Sequence, residues 1–516
     1  MERLTRLLVA AFVFPVTAAA ATDAKSAFDR AEMLAPASAA PWLPDATVFP
    51  SAIALDATFS GNAFGGTGGM NFYDGNSGGD DAEYGIRTFL SRDGGYAYVV
   101  GRHVRSSGAP NDAFIVRIKP DGGADTSFGD NGKMYVDVPF PIADVAMDPG
   151  GVFYFAGPIV TPPFTDKDFA VYCVVDDGTP CDGFGTNGLA EKAIDLNGHN
   201  DDVPWGIVYD ALGSVFVFGF SNTAGSGTNE DLAVVKFNAT TGAIVPTFGN
   251  HAGAAVFGFD YATNGSDIPY AALLTYPGSP TGVYRLYVAG SVQRGDANDT
   301  DGFVIALDPS TGAYDAAFHN GPVIVYADLG TTIKYDTFTS LTELHDGHLL
   351  LTGYAQDDAG DYKLLLAKLD AAGGGKDTTF CGGGSCVNGL VAGSGALAFP
   401  LSHFVYPRGV AERSGNHDLV FALTVKNDVL DGDGHVFQEA VETSPSGSGL
   451  RTWTALDYPA TSTPRDSYPY SMFVDDANRV LITGSRQWNS ATQDWDMTLA
   501  RLVDTDTIFV DSFEAR

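Results

Sequence analysis

The stretch DAFIVRIKPDGGADTSFGDNGK, residues 112–133, contains the unit from which most of the chain is built. An apolar, strand-like run at 114–118 leads into a glycine-rich turn, an Asp-x-x-Phe-Gly corner at 125–129 and a second tight turn. Degenerate copies of this unit recur down the chain. The fold is therefore predicted from repetition rather than from any single segment.

The clearest part of each copy is a short apolar run that is expected to be a strand ending in glycine. Seven copies lie at 96–101, 152–157, 215–219, 285–290, 348–353, 418–423 (without the glycine) and 479–484. They are about 64 residues apart on average, which is enough for four short strands with generous loops.

Three further parts accompany each run: a weaker strand before it, a third strand after a polar loop, and a fourth strand after the corner. The first strands are predicted at 86–93, 144–150, 206–213, 271–278, 341–347, 409–415 and 472–478. The third strands begin near Asp112, Asp168, Asp231, Asp301, Asp361 and Asp494. They are apolar at consecutive positions, which predicts sheets covered on both faces, as in the blades of a β-propeller.

The two ends of the repeat region complement each other. The last repeat stops after its third strand at 497–503, whereas a corner-like sequence at 56–59 and a strand-like one at 69–73 lie at the N-terminal end. We therefore predict an all-β fold over residues 52–505, a seven-bladed β-propeller of four-stranded blades in which the N-terminal strand completes the last blade.

The segments outside the repeats predict export. Residues 1–20 have two arginines, a short apolar run and a run of alanines, the layout of a secretory signal peptide, and no apolar run is long enough to span a membrane. Residues 21–51 form an Ala/Pro-rich leader or linker with room for a short helix at 25–33. Residues 506–516 form a C-terminal tail. The expected location is the periplasm, the medium or the cell surface.

The repeat pattern resembles the delta-60 repeat family of exported bacterial proteins. The best matches to its strand and Leu-Asp-x-x-Phe-Gly-x-x-Gly corner are 112–132 and 168–188, with partial copies at 377–380 and 56–59. The sixth copy departs from the pattern, because Thr452, Trp453 and Thr454 stand where its corner is expected. The resemblance implies a propeller and no catalytic residues. The ending TIFVDSFEAR is similar to the ends of various exported bacterial proteins, so surface retention and a frayed terminus both remain open.

The net charge of -34 excludes nucleic acid and anionic membranes as expected partners. It suits a soluble exported protein, with cation binding by acidic loops as the alternative. The loops around Asp296 and Asp301 and around Asp431 and Asp433 come closest to a calcium pattern, but neither completes it. No histidine pair has metal-binding spacing, so a transition-metal site would have to combine separate repeats. No cofactor or metal is predicted.

Four cysteines predict two local disulfides in an oxidising compartment. Cys173 and Cys181 would span a hairpin-like turn, and Cys381 and Cys386 would close a glycine-rich loop. Zinc binding is the alternative, but neither pair has a histidine at zinc-finger spacing.

The long and variable loops are expected on one face of the propeller, at 102–111, 158–167, 221–230, 291–300, 354–360, 424–433 and 485–493. His103, Tyr354 and Trp488 follow directly on the predicted strands and are the candidate ligand-binding residues, with Trp488 first. No catalytic motif is present. The sequence thus predicts a monomeric, non-catalytic scaffold that binds a protein or glycan. A hydrolase or lyase with its site at the central channel, or a surface-attached adhesive protein, are the alternatives.

Overall fold

The structure, a computed structural model, is all-β within the residues that it describes. These are residues 53–504 apart from 60–68, 74–81, 93, 105–111, 161, 163–165, 197, 199, 224–228, 260, 262–264, 295–298, 326–334, 357–361, 378–379, 381–384, 388–403, 414–416, 429–430, 441–449, 457–466, 476 and 490–493. The predicted signal peptide, the leader helix and the tail lie outside this range. The described part contains no helix with the length and hydrophobicity needed to cross a membrane.

The described strands form five sheets, and the two largest each combine two groups through a single parallel bridge, Trp495 with Ala82 in one and Tyr362 with Phe404 in the other. Without these bridges the strands fall into seven antiparallel groups, each made from consecutive segments of the chain, except that the seventh also includes two short strands from the N-terminal end. Group one contains β3 (Ala82–Leu90), β4 (Ala97–Val104), β5 (Asp112–Ile118) and β6 (Lys133–Asp137). Group two contains β7 (Asp144–Met147), β8 (Phe153–Ile159), β9 (Asp168–Val174) and β10 (Leu189–Lys192). Group three contains β11 (Asp202–Asp210), β12 (Ser214–Asn222), β13 (Glu230–Asn238) and β14 (Ala254–Phe257). Group four contains β15 (Asp267–Thr275), β16 (Arg285–Gln293), β17 (Thr300–Leu307) and β18 (Val323–Val325).

The remaining three groups follow the same order along the chain. Group five contains β19 (Asp336–Glu343), β20 (His348–Gln356), β21 (Tyr362–Asp370) and β22 (Ser385–Val387). Group six contains β23 (Phe404–Glu412), β24 (Asp418–Asp428), β25 (Asp431–Ala440) and β26 (Leu450–Leu456). Group seven contains β27 (Ser467–Val474), β28 (Val480–Asn489) and β29 (Asp494–Asp504), together with β1 (Ile53–Leu55) and β2 (Met70–Tyr73).

Neighbouring groups pack against one another through their faces. The first strand of each group, here called the inner strand, contacts the inner strand of the next group, and β27 of group seven contacts β3 of group one. Apolar clusters fill the spaces between successive groups, for example Phe153 and Phe155 of group two against Val136 and Val100 of group one. The third strands are buried at consecutive positions, as predicted, because both of their faces are covered.

The N-terminal segment completes group seven. Both β1 and β2 pair antiparallel with β29, so that Ile53 lies opposite Asp504 and Met70 lies opposite Ala500. The strand predicted at 69–73 is therefore present and pairs with the third strand of the last repeat.

An ion pair fastens the corner-like sequence at 56–59 to the same strand. Asp56 accepts hydrogen bonds from Arg501 at 2.8 Å and 2.6 Å, and Arg501 also donates to the carbonyl of Pro120 in group one. Burial opposes ionisation of Asp56, but hydrogen bonds from Thr58 and the charge of Arg501 hold its pKa below the usual range. The same corner position pairs with a cation in other groups, for example Asp125 with Arg117.

The prediction that the second strands end at their glycines is wrong, because six of them continue beyond the glycine. Five of the six glycines lie opposite a bulge in the inner strand, and at all six the added Cβ of any other residue would meet a carbonyl oxygen. At Gly353 that atom would lie 1.7 Å from the carbonyl oxygen of Thr337, and at Gly157 it would lie 2.1 Å from that of Pro141. The other four are Gly101, Gly219, Gly290 and Gly484. These glycines therefore allow close backbone approach and do not end strands.

The sixth group corrects two further expectations. Residues 452–454, which stand in place of the corner, belong to β26, and β26 pairs with β25, so this group has its four strands despite the divergent sequence. The loop predicted at 424–433 is mostly strand, because β24 runs to Asp428 and β25 begins at Asp431. In this group Leu423 takes the position that glycine holds in the other five groups with this inner-strand bulge.

We expect Gly353→Ala to lower the free energy of unfolding by about 1–3 kcal/mol, the usual cost of forcing extra volume into a packed site. The Cβ has no room unless the backbone of β19 moves. Gly375→Ala, in the same group, is the matched control, because its Cβ meets nothing within 4 Å. Chemical denaturation of both variants measures the difference, and equal stabilities would contradict the steric explanation.

Arg501→Met should destabilise the protein by about 3 kcal/mol, because it leaves the buried Asp56 carboxylate without its cation. Lys167→Met is the control, because Lys167 and Asp201 form a pair in which each side chain is about a third exposed, and exposed pairs contribute about 0–1 kcal/mol. Thermal or urea unfolding gives both values. If the two variants lose the same stability, the ion pair does not hold the N-terminal segment in place.

Candidate functional site

The bulges in the inner strands turn single side chains toward a common cavity. Register shifts occur at one residue in each of six inner strands, namely Ile86, Trp205, Tyr270, Thr339, Arg408 and Tyr470. All of these except Trp205 line a cavity of about 290 Å³ that lies between the inner strands. A bulge re-aims a side chain without breaking the sheet, and here it supplies the cavity wall.

The wall of this cavity combines cations with aromatic rings. It contains three guanidinium groups, from Arg87, Arg102 and Arg408, and a single carboxylate, from Asp144. The protein as a whole has 63 acidic side chains against 29 lysines and arginines, so a wall with this balance has the opposite sign to the rest of the molecule. Such a wall attracts anions, and it does so more strongly where water is partly excluded.

Asp144 is held in the wall by contacts from both neighbouring groups. Its carboxylate accepts two hydrogen bonds from Arg87 of group one, each 2.7 Å long, and one from the backbone N–H of Ile207 in group three, 3.1 Å long. One side chain of group two thus connects three consecutive groups. Because the bidentate geometry fixes both partners, it also sets the orientation of Arg87 beside the cavity.

The other two arginines lie over tyrosine rings of the wall. The guanidinium carbon of Arg102 is 4.8 Å from the ring centre of Tyr84, and that of Arg408 is 5.8 Å from the ring centre of Tyr470. Tyr270 completes the aromatic part of the wall. Planar guanidinium groups stacked on rings can offer hydrogen bonds in a fixed plane to a carboxylate or a similar anion.

Sequence reasoning missed these cavity residues, although a signal for them is present. Four inner strands have a proline, then the bulged residue, then a small residue, at 204–206, 269–271, 407–409 and 469–471. Proline cannot donate to a neighbouring strand and is tolerated at a bulge. The predicted first strands begin at the last residue of these tripeptides, or just after it in group seven, whereas β11, β15, β23 and β27 begin before them.

The three predicted ligand-binding residues do not follow strand ends, because the strands are longer than predicted. His103 lies within β4, is buried, and forms a 2.6 Å contact with the carboxylate of Glu83. Tyr354 lies within β20, in a buried cluster with Tyr362 and Tyr406. His103 is in group one and Tyr354 is in group five, so these two described side chains belong to separate parts of the fold.

Trp488, the third of these residues, is at an irregular position in β28. The register of β28 against β29 shifts between Gln487 and Asn489, which leaves Trp488 as the extra residue. Its side chain lies outside the described part of the structure, so its role as an exposed anchor stays a prediction.

One predicted disulfide is present, and the other stays a prediction. Cys173 and Cys181 are bonded, with their Cα atoms 5.4 Å apart, across the turn after β9. Cys381 and the side chain of Cys386 lie outside the described residues. Asp301, from the first of the two candidate calcium loops, lies in β17, and its side chain is paired with Arg294 at 3.0 Å. Asp296 of that loop, and the side chains of Asp431 and Asp433, are outside the described part.

An acidic cluster surrounds the N-terminal end of β9. Carboxylate oxygens of Asp166, Asp168 and Asp195 lie within 4.8 Å of one another. Burial, and then the charges of Asp166, Asp202 and Asp195, raise the pKa of Asp168 to about 7. Burial also raises the pKa of Asp202 to about 6, although hydrogen bonds from Ser221 and the backbone N–H groups of Ile194 and Asp195 oppose this. The cluster can be neutralised by protons or by a cation.

We expect Asp168→Asn to raise the melting temperature at pH 8 but not at pH 4. The pKa of Asp168 is higher in the folded protein than in the unfolded chain, so its contribution to stability is present below about pH 4 and is lost as the pH rises toward 7. The amide of asparagine does not ionise, so the variant does not lose this stability at high pH. Melting curves at both pH values, with a chelator present, measure it.

Asp177→Asn is the control for this experiment. Hydrogen bonds from Thr179 lower the pKa of the exposed Asp177, so this substitution should not stabilise the protein at pH 8. Equal effects of Asp168→Asn at the two pH values would contradict the assignment of the raised pKa.

Comparison with known proteins finds distant structural likenesses only. No family model matches the chain, and no curated protein matches it. The similar solved structures include the β-propeller domain of the Trilobed protease from Pyrococcus furiosus (TM-score 0.38, 10% identity, 81% of this chain and 93% of that one). They also include Drosophila Semaphorin 2a, with a TM-score of 0.40 and 8% identity over 82% of this chain and 74% of that one. A third is Pyrococcus horikoshii acylaminoacyl peptidase, with a TM-score of 0.37 and 8% identity over 83% of this chain and 54% of that one. This chain therefore spans about half the length of the peptidase. Likeness at this level assigns neither a family nor a function.

Proposed function

We propose that this protein is an exported, seven-bladed β-propeller that binds an acidic glycan unit in the cavity between its inner strands. The seven strand groups, the contacts between successive inner strands and the pairing of β1 and β2 with β29 support a closed ring in which each group is one blade. The Cys173–Cys181 disulfide supports an oxidising compartment, in agreement with the signal-like N-terminus and with the delta-60 resemblance.

The positive charge of the cavity wall, in a protein that is strongly negative as a whole, is the observation that indicates an anionic ligand. Three arginines face one carboxylate in a chain of net charge -34. Tyr84, Tyr270 and Tyr470 add apolar ring faces beside these cations. A uronate has both matching features, because its carboxylate can accept hydrogen bonds from a guanidinium group and its ring C–H face can pack on an aromatic side chain.

The size of the cavity limits the ligand that can enter. A volume of about 290 Å³ is at the small end of ligand pockets, which favours a single sugar unit at the end of a chain over a folded partner. The rest of a glycan would extend over the loops at one end of the ring. Recognition by those variable loops and by the cavity would then belong to the same binding event.

We prefer a binding role over a catalytic one because Asp144, the one carboxylate among the described residues of the cavity wall, is already engaged in hydrogen bonds. Its carboxylate already accepts hydrogen bonds from Arg87 and Ile207, so it lies in the wall as a structural anion rather than as a proton donor or acceptor. A hydrolase or lyase at the central channel remains the alternative hypothesis, and turnover of a uronate would favour it.

The test is calorimetric titration of the mature protein with glucuronate and with a short polyuronate, against neutral glucose. Both uronates should bind, more weakly at high salt because the attraction is electrostatic, and glucose should not. Arg408→Met should weaken uronate binding at least about tenfold, since a hydrogen bond to a charged group contributes about 1.5–3 kcal/mol.

Arg479→Met is the control for this titration. Arg479 pairs with Asp475 in the hairpin before β28 and does not line the cavity, so its substitution should leave the affinity unchanged. Equal affinity for glucose and glucuronate, or equal losses in the two variants, would overturn the proposal.

A further inference from the structure

Two histidines and a glutamate from neighbouring groups meet at one place on the molecule. His345 lies in the turn between β19 and β20 of group five, Glu412 is the last residue of β23 in group six, and His417 lies just before β24. One nitrogen or oxygen atom from each of them lies within 4.8 Å of the other two. None of the three lines the arginine-rich cavity, so this site is independent of the proposed ligand.

The geometry of the three side chains brings their donor atoms together. Nδ1 of His345 contacts Oε1 of Glu412, and Nδ1 of His417 lies 3.4 Å from the same oxygen. The two imidazole rings are stacked, with centres 3.4 Å apart and planes at 19°. Half of the His345 side chain and 42% of that of His417 are exposed, which leaves access from solvent.

A glutamate at the same position of the preceding group has only a structural role. Glu343 is the last residue of β19, and its carboxylate accepts hydrogen bonds from Ser279 and from the backbone N–H of Thr281, in the hairpin of group four. Glu412 clamps the next hairpin in the same way, because it accepts the backbone N–H of His345. The clamp therefore accounts for the glutamate but not for the two imidazoles beside it.

His417 has two features that a structural clamp does not explain. Its Nδ1 atom is buried and makes no hydrogen bond in the structure. Its backbone has φ of 59°, a left-handed conformation that few residues other than glycine adopt. Such a conformation costs free energy and is often found where a side chain is held for function.

We propose that His345, Glu412 and His417 bind a zinc ion that links the hairpins of groups five and six. Two imidazole nitrogens and a carboxylate oxygen are a donor set that zinc uses, and three protein ligands leave a fourth position open. In a tetrahedral site with bonds of about 2.0–2.1 Å, ligand atoms lie about 3.4 Å apart. The separation between Nδ1 of His417 and Oε1 of Glu412 already has this value. Nδ1 of His345 lies closer to the glutamate, so zinc binding requires this ring to move away from it and to turn out of its stack with His417, because a bound metal lies in the plane of each imidazole.

The experiment is zinc titration of the mature, tag-free protein after treatment with a chelator, with competition by a chromophoric indicator. The wild-type protein should bind one zinc ion with these ligands, and zinc should raise its melting temperature. His417→Asn, in which the new residue tolerates the left-handed backbone, should weaken zinc binding at least about tenfold and abolish this thermal shift. Glu412→Gln should do the same while retaining an acceptor for the His345 N–H.

Two controls separate the site from general effects. His319→Ala removes a histidine of group four that is not part of the cluster, and Glu343→Gln weakens the equivalent clamp; neither should change zinc affinity. The site would be overturned by a wild-type protein that binds no zinc, or by His417→Asn with wild-type affinity and a folded melting curve. Cobalt in place of zinc gives an independent readout, since its visible absorption reports nitrogen ligands.

Discussion

The architecture depends on one steric constraint, the close approach of a carbonyl oxygen in the inner strand to a glycine in the second strand. With any side chain at Gly219 or Gly290, the Cβ would lie 2.0 Å from the opposing oxygen. In five groups this approach accompanies the bulge, and the bulge in turn decides which side chain of the inner strand faces the cavity. A residue type chosen for its lack of a side chain thus determines the orientation of Tyr270 on the neighbouring strand.

The corner motif performs a second, different task. In several groups its aspartate pairs with a cation on a strand, as Asp315 does with Arg285 and Asp125 with Arg117, and its phenylalanine is buried. The pKa of Asp315 lies below the usual range because hydrogen bonds and the charge of Arg285 outweigh its burial. The N-terminal copy at 56–59 uses the same chemistry across the two ends of the chain. The repeat therefore supplies its own means of joining the ends.

Local sequence signals predicted the parts of the fold that depend on local chemistry. The consecutive apolar residues of the third strands, the N-terminal strand at 69–73 and the Cys173–Cys181 pairing follow from residues close together in sequence. The first residues of six inner strands are missing from the prediction, because a bulge interrupts the alternation by which a strand is recognised. The histidine cluster could not be located, because spacing carries no information about the packing of residue 345 against 412 and 417.

The pairing of β1 and β2 with β29 also has a consequence for how the protein is made. Asp56 and Arg501 are 445 residues apart, so group seven can be assembled only after nearly the whole chain has been synthesised. Contacts at such separation form late and slow the folding of a domain. During that interval the free edge of β29 is open to strands of other chains, so a chaperone that covers this edge would limit aggregation.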